Sequence, residues 1–260
     1  MTTSAEAVPA ATILMLRPAA TEFEVFMVVR HHQIDFASGA LVFPGGKADE
    51  QDFDDALLAH LTGAHDDANM RAIQVCAIRE AFEECGILLA YDNDGVMITG
   101  ERLRELDSAR KPLNDGSLSL LTFLQENGLS LACDQLVHFS HWITPEMMPK
   151  RFDTHFYLAV APEDHLAIHD GYESVDSVWI SPNQAIADAK DGKRTVIFPT
   201  LCNIEKLAAG SSVEDAIARA EADAIEPVLP WMESTEEGNF VCIPEGAGYP
   251  NTRERVPDRA

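Results

Sequence analysis

Three glutamates fall within one short run, Arg79-Glu80-Ala81-Phe82-Glu83-Glu84-Cys85-Gly86-Ile87. Wound as a helix at about 100° per residue, Glu80, Glu83 and Glu84 share an arc of roughly 100°. Val75, Ile78, Phe82 and Cys85 gather on the opposite side, which gives the helix an apolar back and an acidic front. Like charges three and four residues apart repel, and a cation on that front removes the repulsion. Mg²⁺ suits the face because it is hard, seeks oxygen and fills its shell with a few carboxylates, waters and phosphate oxygens. Three glutamates alone more often describe a solvated acidic face. The full pattern R-E-x-x-E-E-x-G is more demanding, since it adds an arginine and a glycine at fixed offsets.

Such a helix needs a frame. Thr12 to Arg17 and Glu24 to Arg30 read as strands joined by a turn at Pro18 to Glu22. Leu41 to Phe43 is a third apolar run, stopped by Pro44-Gly45-Gly46. The spacing of Phe53, Ala56, Leu57, Leu58 and Leu61 predicts a short helix over Asp52 to Thr62, with a face to bury against the core. Ala68 to Cys85 reads as the longer carboxylate helix, with Gly86 as its stop. Ile87 to Ala90 begins another strand, and Glu101 to Asn127 holds two helices broken at Pro112 to Gly116. Leu136 to Ile143 and Thr154 to Val160 read as paired strands and Val175 to Ile180 as a further one. A Ser181-Pro182 helix start follows, and Ile197 to Ala222 is helical apart from a break near Gly210. After Glu226 the chain reads as a tail laid over the surface. Strands, then helices, then strands again predict a mixed α/β sandwich formed as one domain over residues 1–260.

Composition narrows the function classes. The chain has 260 residues, 43 acidic and 19 basic side chains and a net charge of −24. That balance disfavours nucleic acid as a partner, because clustered Lys and Arg supply most of that affinity. It leaves room for a phosphorylated small molecule, because bound cations reverse the local field. Cys76, Cys85, Cys133, Cys202 and Cys242 contain no C-x-x-C pair, so reduced thiols are expected. No apolar run reaches the length of a membrane span, and the first residues lack a basic region followed by an apolar stretch. A cytoplasmic location is the expectation; oligomeric state is not legible.

The run Arg79 to Ile87 resembles the second half of the nudix box, G-x5-E-x7-R-E-U-x-E-E-x-G-U, where U is a bulky apolar residue. Phe43-Pro44-Gly45-Gly46-Lys47 resembles the segment leading into its first half, and the strand pattern extends the likeness over about residues 10 to 185. The resemblance implies a nudix-type α/β/α sandwich with a mixed sheet, here with a helical insertion inside the box and a C-terminal helical extension. Counted from Gly46, the first glutamate of the box falls on Asp52; Asp49 and Glu50 are the neighbouring candidates. Arg79 then follows Asp52 by 27 residues instead of eight, so 19 residues interrupt the box over about Lys47 to Ile78. Ala81 is also smaller than the usual U residue.

The resemblance implies roles for these side chains. Glu80, Glu83 and Glu84, with Gly46, would hold Mg²⁺, with Mn²⁺ as an alternative, and one carboxylate would act as base. Arg79 would position a glutamate through a bidentate pair. Gly45 and Gly46 would permit a tight turn and close approach to metal or phosphate. Glu173 would close over the site from a loop or simply face solvent, and His155 sits where it could touch substrate, although a histidine satisfied within the fold is the commoner case. The implied activity is hydrolysis of a pyrophosphate bond in a nucleoside-diphosphate-linked small molecule. The peroxisomal-type coenzyme A diphosphatases resemble the chain further. They share a long insertion before the R-E-x-x-E-E-x-G helix, an R-F-D-T segment (Arg151 to Thr154) and a helical extension after Ile197. Gly39 to Gly46 matches a G-x-x-x-F-P-G-G run of the same branch, although the arginine expected before it is Asp35 here. Arg30, His31, His32, Lys47, Lys150 and Arg151 are the groups available to cradle a 3′-phosphate. The alternatives are a nudix pyrophosphatase for ADP-ribose or a nucleotide sugar, or a catalytically silent nudix domain that senses a nucleotide.

Overall fold

The computed structural model describes residues 5–30, 39–162 and 174–256. Its centre is the parallel pair of β1 (Val8–Pro18) and the later strand Phe152–Val160, in register from Val8 opposite Phe152 to Leu16 opposite Val160. Both faces of this pair are covered, which is why β1 reads A-A-T-I-L-M-L with almost no polar interruption. Ala11, Ile13 and Met15 pack to one side, and Leu14 and Leu16 to the other. β2 (Phe23–Arg30) continues the alternation: Phe26 and Val28 join the first side, Phe23, Val25 and Met27 the second. The turn between them is closed by Ala19 N–H donating to the Glu22 carbonyl.

β3 (Leu41–Val42) pairs with β2, and β4 (Gly45–Lys47) pairs with β1. The expected helix from Asp52 to Thr62 is instead two 3₁₀ turns, Glu50–Phe53 and Asp55–His60, followed by β5 (Leu61–Thr62). Asp49 and Asp54 each accept from a backbone N–H two residues on. These local bonds compete with a continuous helix. Leu57 is buried as expected, while Phe53 and Leu58 stay exposed. The insertion is nonetheless fixed to the core, since Gln51 accepts from the Leu120 N–H at 3.0 Å.

α1 (Ala68–Cys85) is capped by Asp67, which accepts from Asn69 and Met70, and stopped by Gly86 at φ 71°. Its C-terminal carbonyls at Glu83 and Glu84 accept from Arg110, a cation placed where the helix dipole favours one. β6 (Ala90–Tyr91), α2 (Gly100–Leu106), α3 (Arg110–Asn114), α4 (Leu120–Asn127) and β7 (Ser130–Ala132) follow. Pro112 does not break a helix. It sits in the first turn of α3, where the missing N–H has no intrahelical partner; the gap between α3 and α4 falls at 115–119.

β8 (Val137–Ile143) pairs antiparallel with β9 (Phe152–Val160), and β10 (Ser174–Ile180) pairs with β2. α5 (Pro182–Lys190), α6 (Phe198–Leu207) and α7 (Val213–Ala222) form the extension. The main sheet therefore runs β10-β2-β1-β9-β8-β11, with β11 (Pro227–Val228) parallel to β8. α1 and the insertion cover one face; α6 and α7 cover the other, where Phe198, Ile204, Leu207, Val213 and Ala216 meet Phe139, Trp142 and Phe156. This is an α/β/α sandwich with a mixed sheet.

The stretch after Glu226 is not a featureless tail. β12 (Trp231–Thr235), β13 (Gly238–Cys242) and β14 (Arg253–Val256) form an antiparallel sheet. Its hairpin turns at Glu236-Glu237, which lacks the usual Asn-Gly or Asp-Gly signal. Tyr249 is buried between these strands and the core, with its hydroxyl accepting from Trp142 Nε1 at 2.8 Å.

Candidate active site

α1 lies across the β4 turn, and the acidic front of the helix faces that turn rather than solvent. Glu83 and Glu84 are 4% and 6% exposed. Gly45 N–H donates to Glu84 Oε2 at 3.1 Å. Gly46 carries its own steric requirement: a Cβ there would stand 2.5 Å from the Glu80 carboxyl carbon. Only a glycine lets the turn approach that carboxylate so closely. The Gly46 carbonyl in turn accepts from the Cys76 thiol.

Arg79 organises the cluster from below. It is buried, and its Nε and Nη2 donate to the two oxygens of Asp52, each at 2.9 Å. Nη1 donates to Glu80 Oε1 at 2.9 Å and to Glu83 Oε2 at 3.0 Å, and Nη2 also reaches the Lys47 carbonyl. Burial opposes a charge on Arg79, but the Asp52 pair and Glu80 more than offset that and hold it protonated. The bidentate partner is thus Asp52, with single bonds to the two glutamates. Asp49 and Glu50 are exposed; Asp49 caps the 3₁₀ turn that delivers Asp52, its N–H donating to Asp52 Oδ2. The 19-residue interruption is looped out, and Asp52 meets Arg79 as if it were absent.

Glu83 is the unbalanced member. Burial raises its carboxyl to about 7, Arg79 pulls it down, and Glu80 raises it again. Its Oε1 is buried with no hydrogen-bond partner among the described residues. A native protein rarely leaves a buried carboxylate oxygen unsatisfied without a ligand to meet it.

The other candidates are spread more widely. Lys47 follows the turn and is exposed. Arg151 is engaged with the fold, its Nε donating to the Thr144 carbonyl and Nη1 to the Ala5 carbonyl at 2.7 Å. Arg30 ends β2, and only its backbone is described. Glu173, His31 and His32 lie outside the described residues. His155 lies in one cross-sheet row with Gly46: Gly46 is opposite Ala11, and Ala11 opposite His155. It shares a hydrogen bond with His138, and burial followed by the neighbouring histidines lowers both to about 4. The sequence reading missed His138 and His141, because strand parity places them on opposite faces.

Residues 65–207, more than half of the chain, match the family model described as the NUDT19 Nudix domain. The acyl-coenzyme A diphosphatase NUDT19 of Xenopus laevis is 22% identical over 274 residues, covering 88% of this chain and 72% of that protein. The putative nudix hydrolase 7 of Caenorhabditis elegans is 26% identical, covering 86% and 69%. A crystal structure of a NUDIX hydrolase from Alicyclobacillus acidocaldarius is similar at a TM-score of 0.71 and 27% identity, covering 82% of this chain and 96% of that one.

Proposed function

Because the chain belongs to the nudix hydrolases, in the branch of the coenzyme A diphosphatases, we propose that it cleaves the diphosphate of coenzyme A or an acyl-coenzyme A, releasing 3′,5′-ADP and the corresponding 4′-phosphopantetheine. The observation that carries diphosphate hydrolysis is the Glu80-Glu83-Glu84 cluster, assembled against the Gly45-Gly46 turn and braced by Arg79 on Asp52 across the interrupted box; the coenzyme A substrate is supported by the likeness to the acyl-coenzyme A diphosphatase relatives.

The cluster fits a divalent metal. Three carboxylates converge, one has a buried oxygen with no partner among the described residues, and the glycine turn leaves room that a side chain would fill. Glu80, Glu83, Glu84 and the Gly46 carbonyl are the groups that would hold Mg²⁺ or Mn²⁺. Such an ion offsets phosphate charge and makes water a better nucleophile at neutral pH. The protein's own contribution is placement. Asp52 fixes Arg79, and Arg79 fixes Glu80 and Glu83 beside the turn. Hydrolysis adds water across the P–O–P bridge, so that one phosphorus gains a hydroxyl oxygen and the bridging oxygen leaves with the other phosphate. One of the three glutamates takes the proton. Arg30, Lys47 and Arg151 are the cations offered to the 3′-phosphate; Arg151 must exchange a carbonyl partner to do so. Glu173 is the loop carboxylate offered to the same site.

The test is a hydrolysis screen of coenzyme A, an acyl-coenzyme A, 3′-dephospho-coenzyme A, ADP-ribose, a nucleotide sugar and dinucleotides, with and without Mg²⁺. Coenzyme A compounds should be cleaved best, only with the metal, and 3′-dephospho-coenzyme A less well. Equal rates with and without the 3′-phosphate would remove the cationic cradle, and Arg30→Ala and Arg151→Ala then have nothing to disturb. Cleavage of ADP-ribose or a nucleotide sugar alone would overturn the coenzyme A substrate and keep a nudix pyrophosphatase. No cleavage of any substrate would favour a nucleotide-sensing domain, a reading the three retained carboxylates speak against.

A further inference from the structure

A second cluster of side chains with ligand chemistry stands on the same face of the sheet. β8 carries a bulge: His138 pairs with Tyr157, Ser140 with Phe156, and His141 with His155. Phe139 and Ser140 consequently both turn to the α6 side, where Phe139 joins the second core and Ser140 donates to Asn203. His138 and His141 are both left on the α1 side, beside Asp153 and His155 of β9. Bulges of this kind re-aim side chains and are common next to functional sites.

We propose that His141, Asp153 and His155 bind a zinc-class divalent ion, at a site separate from the carboxylate cluster. One ligand atom from each of the three residues lies within 4.8 Å of the others. His141 Nε2 is in direct contact with Asp153 Oδ1. The His141 and His155 rings stack at 4.0 Å between centroids, 16° from parallel. A tetrahedral ion with bonds of about 2.0–2.2 Å needs its donors nearer to one another and its rings tilted toward a common point. Side-chain rotations of half-buried residues supply that movement. His138 Nε2 lies 3.0 Å from His155 Nδ1, which orients that ring and leaves its second nitrogen for the ion. A partner on the far ring nitrogen is the usual support of a metal-binding histidine.

The donor set decides the metal class. Two imidazoles and a carboxylate suit zinc and its first-row neighbours, whereas magnesium takes oxygen donors. Three protein donors leave a position open for water or an anion. His155 is two strands from Gly46 in the same row, about 10 Å at ordinary strand spacing. The three donors therefore stand two strands away from the Gly46 turn, apart from the carboxylate cluster. All five cysteines are buried, so they do not compete for the ion.

The inference is tested without an activity assay. The full chain is stripped with chelator, supplied with excess Mg²⁺ to occupy the oxygen site, and titrated with Zn²⁺ by calorimetry. Co²⁺ replaces Zn²⁺ for visible spectroscopy. Wild type should take up one equivalent, and its Co²⁺ form should show the intense bands of a low-coordinate nitrogen and oxygen site. Asp153→Asn, which keeps shape at a part-exposed position, and His155→Gln should each weaken binding at least about 10-fold, the smallest loss typical even of an outer-shell partner, with melting temperatures near wild type. Glu83→Gln should leave Zn²⁺ binding intact. Absence of uptake, equal affinity in the Asp153 and His155 variants, or loss of uptake in Glu83→Gln would each overturn the proposal.

Discussion

Arg79 and Asp52 form the residue-scale hinge of the site. Both are buried, and their two parallel bonds at 2.9 Å satisfy charges that neither could carry alone there. Removing one partner strands the other. Asp52→Ala should cost about 3–5 kcal/mol in urea unfolding, while Glu50→Ala, an exposed neighbour, should stay within about 0.5 kcal/mol. Comparable small losses in both would show that Asp52 is not the brace. The glutamates obey a different logic, because stability and activity pull apart there. Glu83→Gln and Glu84→Gln should each lower turnover by orders of magnitude and leave the fold intact. Near-normal rates in either would sink the metal-site assignment. Glu83 also sets a pH dependence in the metal-free protein. Its folded value is about 7 against an ordinary 4.5, so between those values the unfolded chain has released a proton that the folded chain keeps. The contribution of Glu83 to stability must therefore fall as pH rises through that window, by at most about 3 kcal/mol, while His138 and His155, lowered to about 4, contribute stability that rises over much of the same range. In chelator, the wild-type urea midpoint minus that of Glu83→Gln should fall from the acid end of the window to the neutral end, because the histidine contribution is common to both proteins; a constant difference would remove the Glu83 effect.

At the scale of elements, the site is a turn laid against a helix. β4 reaches α1 because Gly45 and Gly46 have no side chains. A Cβ on Gly45 would press the Ala11 carbonyl, and one on Gly46 the Glu80 carboxylate. Gly46→Ala should consequently displace Glu80 and lower turnover at least about tenfold, the loss that roughly 1.4 kcal/mol of transition-state stabilisation represents. An unchanged rate would mean that Glu80 can move without consequence. The insertion behaves as an inserted loop rather than a helical subdomain, because Asp49 and Asp54 tie the chain into separate 3₁₀ turns. Its contribution is to return Asp52 to Arg79, and Gln51 fastens that turn to the start of α4. The β8 bulge is the comparable device on the other side of the row, collecting His138 and His141 on one face.

For the whole molecule, the second face of the sheet is closed by the segments after α5. α6 and α7 cover Phe139, Trp142 and Phe156, and β11 extends the main sheet beside β8. Tyr249 then fills the space beside Trp142, with rings 5.3 Å apart, and bonds its indole N–H. Tyr249→Ala should cost about 3–5 kcal/mol by cavity formation and loss of that bond, read as a lower thermal midpoint with the Mg²⁺ response of the site retained. A loss below about 1 kcal/mol would mean that the last strands rest on the core without closing it.

Features that depend on local spacing are legible in the sequence. The arc of three glutamates, the glycine stop of α1, the paired strands on either side and the family likeness all follow from residues a few positions apart. Counting from Gly46 even landed on Asp52, but Asp49 and Glu50 remained equal candidates, because a chain interrupted by 19 residues does not say which acid returns to Arg79. Tertiary structure decided that, through burial of Asp52 alone among the three. It also decided the fate of the C-terminal strands, whose hairpin lacks turn residues that announce themselves, and the face on which His141 stands. Strand parity is a local rule, and one bulged residue reverses it for every position beyond. Only pairing with β9 shows where the bulge lies.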